Sequence, residues 1–314
     1  MYNQRLLKLF RSFYKSNYPD DMESLIELFS IFGGLDVTLD VHESLRELIQ
    51  KHIVDEIYRL ERIVNSLLDY NDHAKRLLKA LASSNRKIFS TFNKAGLNNQ
   101  NGGIALDDLV KKDLVWIEYS REVPPSVQNP NEKLPRDLAR YRISHKLLFS
   151  YPFLRFWFYF VEPNIRSLKN GESERFFALI EERFFSYTSL VFEELSSLLL
   201  NYHLRDSLII STGSYWDKNI EIDILTLTED GKVFVAECKW SNHPVSKSIL
   251  TKLEQKCVQA EIEPDLYVLF SKRGFSNELK KESGKGLLLF SSGDFELLLK
   301  NITDDEFDDQ CFLD

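Results

Sequence analysis

Apolar residues recur at three- and four-residue spacing through "DMESLIELFSIF" and "LRELIQKHIVDEIYRLERIVNSLL", which predicts a run of polar-faced helices over residues 1–70. Gly33-Gly34 breaks that run. Residues 72–118 continue as three shorter helical patterns, "DHAKRLLKALAS", "RKIFSTFNKAG" and "IALDDLVKKDL". The turn-rich "LNNQNGG" precedes the third, and the strand pattern "VWIEY" follows it. The proline-rich "REVPPSVQNPNEKLPRD" then predicts a long loop, with "RYRIS" as the strand returning from it.

Three helices, a strand, a long loop and a returning strand are the order of a winged helix-turn-helix, predicted over residues 71–148. A small helical bundle with no DNA partner fits the same pattern. Lys111 and Lys112, near the end of the third helix, are its bases for DNA binding, and Asp107 and Asp108 oppose them. Next, eight of the twelve residues from Phe149 to Phe160 are aromatic. Phenylalanine lacks a polar handle and only Arg155 breaks the run. Residues 149–170 therefore predict a buried linker helix packing the two halves together, rather than a base-stacking platform.

From residue 172 the period alternates. Helices "ERFFALIEERFFS" and "SLVFEELSSLLLNY" precede strands "IEIDILTLT" and "KVFVAECKW"; after the helix "VSKSILTKLEQKCVQA" come "DLYVLFS", "GLLLFSS" and a last helix, "GDFELLLKNI". A mixed sheet covered by helices is predicted over residues 171–302, which makes the whole chain α+β.

Composition adds a setting. The 314 residues are 43% hydrophobic and 28% charged, enough for a sizeable core. Cys238, Cys257 and Cys311 are odd in number and at no metal-ligand spacing, which suits a reducing compartment. With no secretory pattern and no apolar run approaching about 18 residues, the expectation is a cytoplasmic protein without a membrane partner. A net charge of −8 speaks against nucleic acid. Much of it sits in "DDEFDDQCFLD", however, an acidic tail predicted over residues 303–314, whereas residues 1–19 hold Arg5, Lys8, Arg11 and Lys15 and no acid.

The strand "VFVAECKW" carries Glu237 and Lys239 two apart, hence on one face, while Cys238 and Trp240 take the other. Charges inside a core strand are costly unless paired or used. A three-residue loop over "EDG" with Gly231 left-handed would pair Thr228 with Lys232, Asp223 with Glu237 and Glu221 with Lys239. A two-residue turn would throw Asp223 and Glu237 to opposite faces. Two acids brought together invite a divalent cation, and carboxylate oxygens suit Mg²⁺ or Mn²⁺. On spacing alone, a structural cluster in which Lys239 neutralises Glu237 and Glu221 fits equally.

The arrangement "GSYW…NIEIDILTLTEDGKVFVAECKW", with an acid-bearing helix before it, resembles the PD-(D/E)XK nuclease superfamily. It is more closely similar to the C-terminal domain of unknown function of archaeal-type ATPases, over residues 72–300, with "YRISHKLLFSYPFLRFWFYFVEPN" and "YTSLVFEELSSLL" as linker and first nuclease helix. The resemblance implies a restriction-endonuclease-like domain in which Asp223 and Glu237 bind metal, helped by the Cys238 carbonyl, and Lys239 is the catalytic lysine. Glu193 matches the helix acid, although the stripe Leu190, Val191, Leu195 and Leu198 keeps Glu194 open. Neither Gly231-Lys232 nor Gly284-Lys285 belongs to a phosphate-binding loop, so no nucleotide cofactor is expected and any ATPase would be a separate partner. The implied activity is Mg²⁺-dependent endonucleolytic cleavage of DNA positioned by the winged helix. The alternative is a non-catalytic DNA-binding or scaffold protein that keeps the fold.

Overall fold

The computed structural model describes residues 2–124, 133–136 and 142–300. The tail over 303–314 with Cys311, and most of the long loop, lie outside the described residues. No helix among the described residues is long and apolar enough to cross a membrane.

The N-terminal region is helical, as its pattern requires: α1 (Tyr2–Asn17), α2 (Met22–Phe32), α3 (Leu45–Ile49), a π-helical turn (Gln50–Val54) and α4 (Ile57–Leu67). Asp21 caps α2 by accepting the Ser24 amide at 2.9 Å, and Ser44 and Glu47 form a capping box on α3. Ile26, Phe29 and Phe32 of α2 are fully buried. Arg11 of α1 donates through Nε to the Leu298 carbonyl at 2.7 Å and through Nη2 to that of Lys300 at 3.1 Å, tying the first helix to the far end of the described chain.

Helices α5 (Asp72–Ala82), α6 (Ile88–Lys94) and α7 (Asn99–Lys111) lead into β1 (Val115–Glu118), antiparallel to β2 (Lys146–Phe149). The returning strand thus lies at Lys146–Phe149, while Arg142–Ser144 of "RYRIS" carry no strand. All four β2 residues are buried, and "LLF" offers the apolar surface that a buried ladder needs. The aromatic stretch becomes α8 (Pro152–Phe156), a π-helical turn (Trp157–Val161) and α9 (Glu162–Lys169). Phe153, Phe156, Trp157 and Phe160 are fully buried, and Phe156, Tyr159 and Phe160 pack their rings on Tyr187.

Tyr187 belongs to α10 (Glu174–His203), one helix of 30 residues where two were expected. The polar "SYTS" does not end it, because Ser186 and Thr188 satisfy their hydroxyls on the Arg183 and Phe184 carbonyls a turn earlier, at 2.9 and 3.0 Å. A five-stranded sheet follows: β3 (Ile209–Trp216), β4 (Glu221–Thr228), β5 (Val233–Lys239), β6 (Leu266–Ser271) and β7 (Leu287–Ser291), adjacent in chain order. The first two pairings are antiparallel and the last two parallel. Helices α11 (Lys247–Gln259) and α12 (Asn277–Glu282) form the parallel crossovers, and the chain runs on as a 3₁₀ helix (Ser292–Leu299) where an α-helix was expected. The edge strand β3 has no counterpart in the predicted pattern, since two register shifts and mostly half-exposed residues hide its alternation.

Two cores sandwich the sheet. On one side Val191, Phe192 and Leu195 of α10 meet Phe234, Ala236, Cys238 and Phe270, in a cluster that also holds Phe10, Phe29 and Phe153. On the other, Leu250, Leu253 and Cys257 of α11 pack on Val235 and Leu269. The N-terminal helices therefore share their core with the sheet.

Candidate functional site

The β4–β5 hairpin has the register set by a three-residue loop: Leu227 faces Val233 and Ile224 faces Ala236. The Thr228 amide donates to the Lys232 carbonyl at 3.1 Å, and Gly231 sits at φ +80°. The ladder ends at Ile224–Ala236, one pair before the acids. There Asp223 turns its Oδ2 onto the Cys238 amide at 2.7 Å, a side-chain acceptor in place of the next carbonyl. Glu237, buried beside it, accepts Lys239 on Oε1 and Lys256 of α11 on Oε2, both at 2.7 Å. Glu221 does not reach Lys239. It faces Trp216 of β3, and its Oε1 accepts Lys146 of β2 at 2.5 Å.

From the opposite side α10 brings Glu193 to Asp223; the two line the same cavities. Desolvation pushes the Asp223 carboxyl well above the usual range, and the charges of Glu193 and Glu237 push it further, against the Cys238 amide and Lys239. Burial likewise raises Glu193, with Arg86 opposing. Glu194 lines one of these cavities, whereas Glu193 lines both and its charge bears directly on Asp223. The Cys238 side chain lies in the core, where burial raises its thiol. Lys239 is raised by Glu237 despite its own desolvation and is therefore a firm cation.

Two openings meet at Glu193 and Asp223. The first, about 250 Å³, runs past Trp116, Glu118 and Gly213; the second, about 430 Å³, runs past Arg86, Arg155, Ser189 and Lys256. Polar ties from the β1–β2 region hold the walls together. Glu118 accepts the Ser214 amide at 2.7 Å and its hydroxyl at 2.8 Å. Arg121 donates to the carbonyls of Leu225, Gly213 and Ser214 at 2.8, 2.5 and 2.9 Å. Gly213 holds φ +145°, and a Cβ there would lie 2.8 Å from Glu118 Oε1. Gly213→Ala is accordingly expected to cost about 1–3 kcal/mol; an unchanged denaturant midpoint would argue against this packing.

Arg86, Glu118, Arg121, Lys146 and Lys256 escaped the sequence reading because each is an isolated charge whose partners are remote in the chain. Of the two candidate DNA-binding bases, Lys112 is taken up by Asp69 at 2.5 Å and Asp108 at 3.1 Å, which leaves Lys111 exposed.

Among the described residues, no three His, Cys, Asp or Glu side chains converge as a preformed metal cage. The donor chemistry nevertheless suits a hard cation: Asp223 and Glu193 offer carboxylate oxygens to one cavity, and the repulsion that raises Asp223 is what a divalent ion relieves. Glu237 would join them by releasing Lys256.

Residues 157–257 match the model of DUF234, a family described as archaea bacterial proteins of unknown function. This is a shorter span than the expected likeness over 72–300, but it contains Glu193, Asp223, Glu237, Lys239 and Lys256. No curated protein matches the chain. Among solved structures, the chain is similar to the crystal structure of protein VC1899 from Vibrio cholerae, with 14% identity and a TM-score of 0.29; the likeness covers 78% of this chain and 54% of that one, so this chain spans about half of that protein's length.

Proposed function

We propose that the chain is a metal-dependent DNA phosphodiester hydrolase with a PD-(D/E)XK-like core and a DNA-positioning winged helix. One observation carries this reading: Asp223 is surrounded by Glu193, Glu237 and Lys239 at the point where β4 and β5 part, beside an open cavity. A purely structural cluster would pair its acids off. Here Asp223 has an amide and two like charges, and Lys239, the cation near it, makes its hydrogen bond to Glu237. Mg²⁺ or Mn²⁺ bound there would supply Lewis acidity and a more acidic water. Asp223 and Glu193 would hold the cation through carboxylate oxygens, and Glu237 would add a further donor. Lys239 donates to a phosphate oxygen and stabilises the charge that develops there, acting as a point charge in a partly desolvated place.

The two lysines on Glu237 favour a second reading, a DNA-binding or scaffold protein that keeps the fold without turnover. Thermal denaturation separates the two. A site with affinity for Mn²⁺ gains about 2.7 kcal/mol at 100 times its dissociation constant, a rise in midpoint of roughly 5 °C for a chain of this size. Asp223→Asn should lose most of that rise. Absence of any shift in the wild type would favour the second reading.

A further inference from the structure

The second opening is walled by two arginines from separate elements. Arg86 leads into α6 and Arg155 lies on α8. Neither has spent its donors. Arg86 comes no closer to Glu221 than 3.8 Å, too long for a hydrogen bond. Arg155 gives Nη2 to the Tyr187 carbonyl at 3.0 Å and rests its guanidinium 4.2 Å over the Tyr187 ring, but Nη1 is buried with no hydrogen-bond partner among the described residues. Unsatisfied buried guanidinium donors are costly unless a ligand completes them. Arg86 is also held at φ +65°, a left-handed backbone that favours glycine. Strain retained at a bulky residue beside a cavity points to use of its side chain.

The planar fork of arginine matches phosphate oxygens, and Ser189 stands half-exposed on the α10 wall. A cavity of about 430 Å³ lies in the range that takes small molecules. It has room for one nucleotide-sized group but not for a base pair together with both its backbones. The ties of Lys146, Glu118 and Arg121 hold both walls to the sheet. We propose that this cavity is a phosphate subsite, in which Arg86 and Arg155 hold the backbone of a single DNA strand, separated from its complement, next to Asp223. The proposal rests on the hydrolase reading for its ligand class, and it narrows that class to unpaired strands.

Binding tests it without turnover. Full-length Asp223→Asn protein is titrated, in Mg²⁺, against a short fluorescent oligothymidylate and against the same strand annealed to oligoadenylate, with anisotropy as the readout. The single strand is expected to bind at least about tenfold more tightly than the duplex, and Arg86→Gly or Ser189→Glu to weaken it by about tenfold or more. Arg86→Gly should melt no lower than its parent, because glycine accepts the left-handed backbone; the loss of binding then cannot be ascribed to unfolding. Equal binding of duplex, or single-strand binding untouched by both substitutions, overturns the subsite. A wild type that binds single strands through Arg86 and yet cleaves nothing with Mn²⁺ leaves the subsite standing and rejects the hydrolase reading. Cleavage by a protein whose strand binding ignores both substitutions does the reverse.

Discussion

Asp223→Asn, Glu237→Gln and Lys239→Ala are each expected to lower Mn²⁺-dependent DNA cleavage by at least about 100-fold, the scale of losing one preorganised electrostatic contact in a transition state. The three should part company in stability. Desolvation, Glu193 and Glu237 raise the Asp223 carboxyl above its ordinary 3.8, so the folded protein holds that proton more tightly than the unfolded chain. Stability contributed by the protonated carboxyl is therefore full below pH 3.8 and is lost as pH rises toward the folded value. Asn cannot ionise, so metal-free Asp223→Asn should match or exceed the wild type at neutral pH, with the gap opening as pH rises. Glu237→Gln works the other way, because it strips the carboxylate from Lys239 and Lys256. Cleavage by Lys239→Ala at the wild-type rate would remove the lysine from the mechanism.

The second large effect lies at Lys146. Its side chain is 1% exposed, stacks its ammonium 4.4 Å over the Trp216 ring and has Glu221 as its carboxylate partner. Glu221 is more than half exposed and keeps Arg86 nearby. The partners are thus unequal, and their removal should be too. Glu221→Gln removes the buried ammonium's hydrogen-bonded anion, leaving only the charge of Glu118, and is expected to cost about 3 kcal/mol. Lys146→Met leaves a wet carboxylate and an apolar chain of similar length in an apolar place, and should cost about 1.5 kcal/mol or less. Burial and Arg86 already lower the Lys146 pKa from 10.5, against the attraction of Glu221. In Glu221→Gln it falls further, so the mutant should regain stability as pH rises toward 10.5. Urea denaturation of both mutants across that interval checks the asymmetry. An equal loss in both would mean that the pair acts through packing and not through charge.

The β4–β5 register was legible because a left-handed glycine in a three-residue loop sets the pairing from Leu227–Val233 to Ile224–Ala236. The arrest of the ladder at Ile224 was not, since it depends on Asp223 capturing the Cys238 amide and on β4 following β3. The two-carboxylate motif could be placed from spacing. Its surroundings could not: Lys256 arrives from a crossover helix and Arg86 from a segment more than 130 residues earlier than Glu221, and a local pattern encodes neither meeting. The sequence pattern splits α10 in two because propensity counts "SYTS" as a break, whereas tertiary burial of Tyr187 and Thr188 keeps it continuous.

The bond from Arg11 to Leu298 joins positions 287 residues apart. Ribosomes add about 5–20 residues each second, so α1 emerges many seconds before the carbonyl that its guanidinium needs. During that interval Phe10 and Phe13, which end up against Phe29, have only part of their final surroundings. Closing so long a loop is slow in its own right. That helix is therefore among the last of the described elements to be locked, and until residue 298 has been made the nascent chain carries an apolar, basic segment that chaperones can hold.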